Sequence, residues 1–242
     1  MKPRANETLD SIKDAKLFQS KKGYRFSIDA VLLEQFISAR HSSKGIELGT
    51  GSGVISILLA KRLSNIHITA VELQKTLSDR AKRNVKLNDL EERIEIVQKD
   101  IKELKDVYAT NSFNFGYSNP PFRKSKTGRM SIDKERAIAR HEIEISLQEL
   151  ISTASHLLKH SGRFYLIYHP FRLVELISIL KESKLEPKRM RFVHSRQGDE
   201  AKMVLMEAAK GSGTWLKIEP PLYLYEKGKT YSKEVLEMLD KV

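Results

Sequence analysis

The chain has no cysteine, which excludes disulfides and thiolate metal sites and makes a reducing cytoplasm its natural home. No apolar run approaches the ~18 residues that a membrane-spanning helix needs, and no signal-peptide pattern opens the sequence. The seven histidines show no metal-ligand spacing, so no metal is expected. Internal repeats and low-complexity tracts are also missing. Acidic residues are in deficit, 31 against 43 basic, which leaves a net charge of +12. Such an excess concentrates polyanions and favours a nucleic-acid partner, with solvated lysines that merely aid solubility as the plainer alternative. Basic residues gather at Lys13, Lys16, Lys21, Lys22 and Arg25, and again at Arg123, Lys124, Lys126 and Arg129.

At 242 residues the chain can bury a full core. Periodicity predicts helix over 30–40, strand over 44–48, helix over 53–63, strand over 66–71 and helix over 74–88. Strands at 94–97 and 113–118, a helix at 146–159 and a strongly apolar strand at 163–168 follow. A helix at 171–182 and strands at 186–195 and 202–208 complete the series, the last two reading as an antiparallel hairpin at an edge. Short-linked alternation of this kind predicts an α/β fold with a doubly wound parallel sheet. Residues 1–22 read as a basic, poorly periodic segment that is disordered in the free protein. Residues 23–242 read as one domain, with a strand at Trp215–Ile218 and a helix at Ser232–Leu239 appended. The polar stretch 123–135 reads as a lid or substrate loop. Nothing sets an oligomeric state, and a monomer is assumed.

Two motifs carry chemistry. In Glu47-Leu48-Gly49-Thr50-Gly51-Ser52-Gly53 a strand passes directly into a helix whose apolar face begins at Val54. Glycines there permit positive φ and close approach of backbone to ligand, and the helix start offers unpaired N–H groups. Similar loops bind pyrophosphate, so the loop alone is ambiguous. Glu47 would repel a phosphate and instead suits the cationic amino group of a methionine moiety. Glu72 ends the next strand, 19 residues after Gly53, where a carboxylate can accept both ribose hydroxyls. Asp100 follows the strand at 94–97 and has two compatible roles, acceptor for an adenine NH2 and N-cap before Ile101.

The second motif is Asn119-Pro120-Pro121-Phe122, directly after the strand at 113–118. Asn119 supplies a side-chain carbonyl, and prolines leave carbonyls free while lacking N–H groups. The corner is therefore rich in acceptors, which suits the two N–H donors of an amine on a flat ring. Phe122 offers a face for stacking that ring. Asn-Pro and Pro-Pro pairs also make ordinary rigid turns, but after the glycine loop, Glu72 and Asp100 in order, the pairing is specific. Together the motifs point to methyl transfer from S-adenosylmethionine to a planar amine, a reaction in which catalysis is mainly positioning.

On these motifs the chain resembles the class I S-adenosylmethionine-dependent methyltransferases, in the branch marked by Asn-Pro-Pro-Tyr/Phe. It looks most like the bacterial tRNA (adenine-N6)-methyltransferases that modify valine tRNA next to its anticodon. The resemblance covers roughly residues 17–239 and includes Gly23-Tyr24-Arg25-Phe26-Ser27-Ile28-Asp29-Ala30-Val31-Leu32-Leu33, Ala139-Arg140-His141-Glu142 and Gly162-Arg163-Phe164. It implies that Phe26, Asp29, Glu47, Gly49, Gly51, Gly53, Glu72 and Asp100 bind the cofactor. Asn119, Pro120, Pro121 and Phe122 would hold the target base, and the sheet would have seven strands with the final one reversed. Tyrosine often stands in the family where this chain has Phe122, which keeps the stacking face and loses only a hydroxyl. An unpaired loop adenine would be reached without opening a duplex.

Guanine-amine methyltransferases of ribosomal RNA share Asn-Pro-Pro-Phe and remain an alternative. A protein glutamine methyltransferase is another, disfavoured by the positive charge and by the short segment before the glycine loop. An RNA-binding module without catalysis is a third, and it would have no need of either motif. His141 reads as a surface or loop residue rather than a general base, His169 as a cap at a strand end, and Trp215, Tyr223 and Tyr225 as core or edge packing rather than faces that stack on RNA.

Overall fold

The computed structural model describes residues 1–22, 25, 27–39, 42–120 and 146–240. Within these, short runs of β-branched and aromatic residues form the middle of one sheet. They are β3 (Lys44–Leu48), β4 (His67–Glu72), β5 (Ile94–Gln98), β6 (Phe113–Ser118) and β7 (Leu158–Tyr168). Each pairs in parallel with its neighbours in the order β5-β4-β3-β6-β7. Parallel strands need crossovers, and α2 (Val54–Arg62), α3 (Lys75–Leu87) and α5 (Leu147–Leu157) supply them, with α4 (Leu104–Val107) a short turn before β6. β8 (Leu185–His194) and β9 (Ala201–Lys210) form the expected hairpin, with α6 (Leu173–Glu182) before it. The reversed strand is β9, inserted between β7 and β8 and antiparallel to both.

The seven strands gain two short additions on β8, β10 (Lys217–Ile218) and β11 (Leu222–Tyr223). A small ribbon, β12 (Tyr225–Lys227) with β13 (Thr230–Tyr231), then leads into α7 (Lys233–Met238). Both faces of the sheet are covered. One core holds Val31, Ile57, Leu59, Val85 and Val235 with Phe115 and Tyr117, and includes side chains of α1 (Ile28–Phe36). The opposite core holds Ile46, Leu48, Leu150, Ile151, Leu176 and Leu180 with Phe164.

Two expectations fail here, each for a physical reason. β7 begins at Leu158, not 163, because Leu158 pairs with Phe113 before the polar stretch Lys159–Gly162 bulges and pairing resumes at Arg163 with Phe115. That stretch carries no alternation, and Ser161 sits at φ 60. The first 22 residues are not disordered. β1 (Glu7–Ile12) and β2 (Ala15–Ser20) form an antiparallel hairpin, with Ala15, Leu17 and Phe18 fully buried.

Burial of Leu17 and Phe18 stabilises by ~2 kcal/mol each, and polar groups of α3 complete the anchorage. Asn84 accepts from the Phe18 N–H at 2.7 Å and donates to the carbonyls of Phe18 at 3.2 Å and Ser52 at 2.9 Å. One amide therefore joins the hairpin, α3 and the glycine loop. Glu7, 4% exposed, is held by Arg80 at 3.1 Å and Arg83 at 2.8 Å. Burial acts to raise its carboxyl, and the Arg4 N–H with the two guanidiniums outweighs it and keeps the pKa lowered. These partners lie some seventy positions apart, beyond the reach of local periodicity. Asn84→Ala leaves three buried groups unpaired and is expected to cost about 2–4 kcal/mol. The check is the urea unfolding midpoint, and an unchanged midpoint would deny Asn84 this role.

Candidate functional site

β3, β4 and β6 end side by side, and the glycine loop turns over their carboxyl ends. Gly49, Gly51 and Gly53 have φ of +83°, +60° and +84°, values that side chains with a Cβ seldom adopt. The N–H groups of Gly49 and Thr50 both donate to the Val71 carbonyl, at 3.0 and 2.9 Å. A Cβ added at Gly53 would lie 3.4 Å from Ala81 of α3, whereas one added at Gly49 would meet nothing within 4 Å. Gly49 is where the loop faces open space.

Glu72 is 3% exposed, and its two oxygens accept from the N–H groups of Gly51 at 2.8 Å and Gln74 at 2.9 Å. Burial raises its carboxyl above the usual range, against the pull of these N–H groups. The Gln74 side-chain nitrogen beside it is buried without a hydrogen-bond partner among the described residues. A carboxylate oxygen can accept two bonds. A half-used carboxylate, an orphaned donor and an open glycine turn together fit the ribose end of a nucleoside.

Glu47 lies under the loop, 1% exposed. Its Oε2 accepts from the Thr50 hydroxyl at 2.6 Å and from the Ser56 hydroxyl, and Ser56 lies 2.8 Å from the Tyr117 hydroxyl. Burial pushes the Glu47 carboxyl up to about 8; the two hydroxyls resist this and the charge of Glu72 adds to it. Burial, and next the Glu47 charge, raise the Tyr117 hydroxyl. In this arrangement the carboxylate acts first on the loop, tying β3, α2 and β6 together from beneath.

Asn119 and Pro120 follow β6, both half-buried. The register sets Glu47 against Tyr117, so Gly49 and Asn119 each follow the carboxyl end of one of two neighbouring strands. The Ser118 hydroxyl donates to the Leu48 carbonyl at 2.6 Å and locks the two corners together. Asp100 caps the turn Ile101–Glu103, accepting from the Lys102 N–H at 2.9 Å. Asp29 stands half-buried in the first turn of α1. Neither is hydrogen-bonded to the glycine loop among the described residues. Phe26, Pro121, Phe122, the stretch 123–135, Arg140 and His141 lie outside the described residues.

Sequence reading missed Ser56, Tyr117 and Asn84 as parts of the site. A serine within the apolar run Val54–Ala60 was the available sign of the first. His169 takes the N-cap position of the turn Pro170–Arg172 without a side-chain capping bond. Trp215, read as packed, is 66% exposed with Lys188 5.8 Å from its ring centre.

Residues 25–183 match the family model of the methyltransferase small domain. The chain belongs to that family. A tRNA1(Val) (adenine(37)-N6)-methyltransferase of Porphyromonas gingivalis is 32% identical over 67% of this chain, which spans 64% of that relative's length. One of Tolumonas auensis is 25% identical over 92% of this chain and 91% of its own. The crystal structure of a predicted O-methyltransferase from Agrobacterium tumefaciens is 22% identical and matches with a TM-score of 0.71, covering 88% of this chain and 95% of its own. That last likeness is one of fold.

In this methyltransferase domain a carboxyl raised from 4.5 to about 8 on folding binds a proton more readily when folded. Its contribution to stability is therefore greatest below about pH 4.5 and declines as pH rises towards 8. Glu47→Gln is expected to remove this decline, gaining on wild type by a few kcal/mol near pH 8.5 relative to pH 5. Chemical denaturation at the two pH values checks this, and parallel losses in both proteins would contradict it.

Proposed function

We propose that this methyltransferase transfers a methyl group from S-adenosylmethionine to the exocyclic N6 amine of an unpaired adenine in tRNA, in the anticodon loop of valine tRNA. The observation that carries the reading is the pairing of β3 with β6, closed by the bond from the Ser118 hydroxyl to the Leu48 carbonyl, so that the glycine loop and the Asn119-Pro120 corner leave neighbouring strand ends. Relatives that carry the tRNA1(Val) (adenine(37)-N6) name, along with the net charge of +12, support the substrate.

The cofactor, when bound, supplies a methyl group already activated on a sulfonium. The chain's task is then to seat and aim the amine. Glu72 takes the ribose hydroxyls, Gly49 to Gly53 bring backbone against the methionine end, and Asp100 borders the adenine. The Glu47 charge beneath the loop favours an ammonium above it, and such an ammonium would draw its carboxyl back down. The Asn119 side-chain carbonyl and the Pro120 carbonyl accept the two N–H donors of the target amine, turning its lone pair towards the methyl group. Phe122 stacks on the base. Phe26 and Asp29 close the methionine end. No strong base is needed, because the proton leaves after transfer. We place the reaction in the cytoplasm with tRNA as the partner.

The test is incubation of the protein with labelled S-adenosylmethionine and tRNA lacking its own modifications, followed by digestion and identification of the nucleoside. N6-methyladenosine in valine tRNA is the expected product, and label in methylguanosine would overturn the base assignment. Asn119→Ala is expected to lower kcat by a factor of about a hundred or more while leaving cofactor affinity within about twofold. Full activity in that variant would refute the role of the corner.

A further inference from the structure

The strand beside Asn119 runs on into a surface that the reaction scheme leaves unused. Ser118 pairs with Leu166, so the segment after Tyr168 emerges at the same carboxyl edge as Asn119, one strand away. Two large apolar side chains face solvent there, Phe171 at 77% and Val174 at 85% exposure. The His169 ring stacks on Phe171, with centroids 5.0 Å apart and planes at 29°. Exposed apolar residues scattered singly are ordinary. An aromatic pair with a valine beside it, at the mouth of a site, marks an interaction surface.

The fold holds this surface outward. Arg172 forks onto Glu175, Nε to Oε2 at 2.8 Å and Nη2 to Oε1 at 2.7 Å, and also donates to the Tyr168 hydroxyl. Leu176 and Leu180 are buried, and Leu173 packs against the same core. With Arg172 and Glu175 paired to each other and Leu173 and Leu176 turned to the core, Phe171 and Val174, three residues apart, share the outer side. The platform is ordered before anything binds, so a ligand does not bear the cost of arranging it. The acid of this turn, Glu175, is neutralised by Arg172. β9 sets Val204 against Tyr168, and exposed Lys202 lies two residues earlier on β9, at this same end of the sheet. A flat apolar face beside a lysine, on a chain of charge +12, suits a nucleobase with its phosphate.

We propose that Phe171, backed by His169 and flanked by Val174, is a stacking platform for an unpaired nucleobase next to the adenine that is methylated. The inference rests on the tRNA reading above and adds to it the part of the protein that holds the rest of the loop. Steady-state methylation of a valine tRNA transcript, with cofactor affinity measured by calorimetry, tests it. Phe171→Ala is expected to raise KM for tRNA about tenfold and to leave the cofactor Kd unchanged. Phe171→Trp, which keeps a flat ring, should stay within about twofold of wild type, while Phe171→Leu, apolar but not flat, should behave like the alanine variant. Wild-type KM in Phe171→Ala on an active background would overturn the platform alone. So would a change confined to self-association in sedimentation, which would make the surface a contact between copies. A wild-type protein that methylates no tRNA would overturn the functional reading and this inference with it.

Discussion

A carboxyl group taken out of water must be given hydrogen-bond donors or a proton by the protein, and the site is arranged around that constraint at Glu47. The donors come from Thr50 in the glycine loop and Ser56 in the first turn of α2, with Tyr117 of β6 behind Ser56. Satisfying one buried group therefore fixes the relation of three elements. It fixes the loop in the conformation that its three positive-φ glycines permit, and it holds β6 beside β3 so that the glycine loop and the Asn119 corner leave neighbouring strand ends. Isolated ion pairs on the surface would not do this, because exposed pairs are worth little and yield to salt.

The same economy appears on the outer side of the loop. Asn84 reaches both the Ser52 carbonyl and the backbone of β2, so the N-terminal hairpin is part of the wall that supports the glycine loop. Glu72 is shared between the loop and the start of α3. The proposed cofactor site and the fold are held by one set of polar contacts, and a ligand that takes up the remaining acceptor positions would tighten both.

Much of this was legible in the residues. Apart from the start of β7 and the short α4, elements from Lys44 to Glu182 fell within a few positions of their observed bounds, because each strand is a short apolar run and each helix has one apolar stripe. Glu72 and the three glycines stand where the motif placed them. Asp100 was legible as a cap, and it is one. What escaped was whatever depends on partners far away in sequence. The hairpin at Glu7–Ser20 was hidden because its anchors, Arg80, Arg83 and Asn84, belong to α3. Ser56 and Tyr117 looked like minor interruptions of apolar segments until the fold set them beside Glu47.

The sequence by itself determined the alternation of strands and helices, the glycine loop and the acceptor-rich corner at Asn119-Pro120. Local stereochemistry is enough for these, since glycine and proline restrict the backbone wherever they stand. Tertiary structure alone decided that β9 slots between β7 and β8, that Glu47 turns inward to hydroxyls, and that Phe171 and Val174 are left facing outward. Those outcomes come from competition for burial among all the elements at once. Such competition is settled only when the whole sheet is assembled and each polar group has, or lacks, a partner.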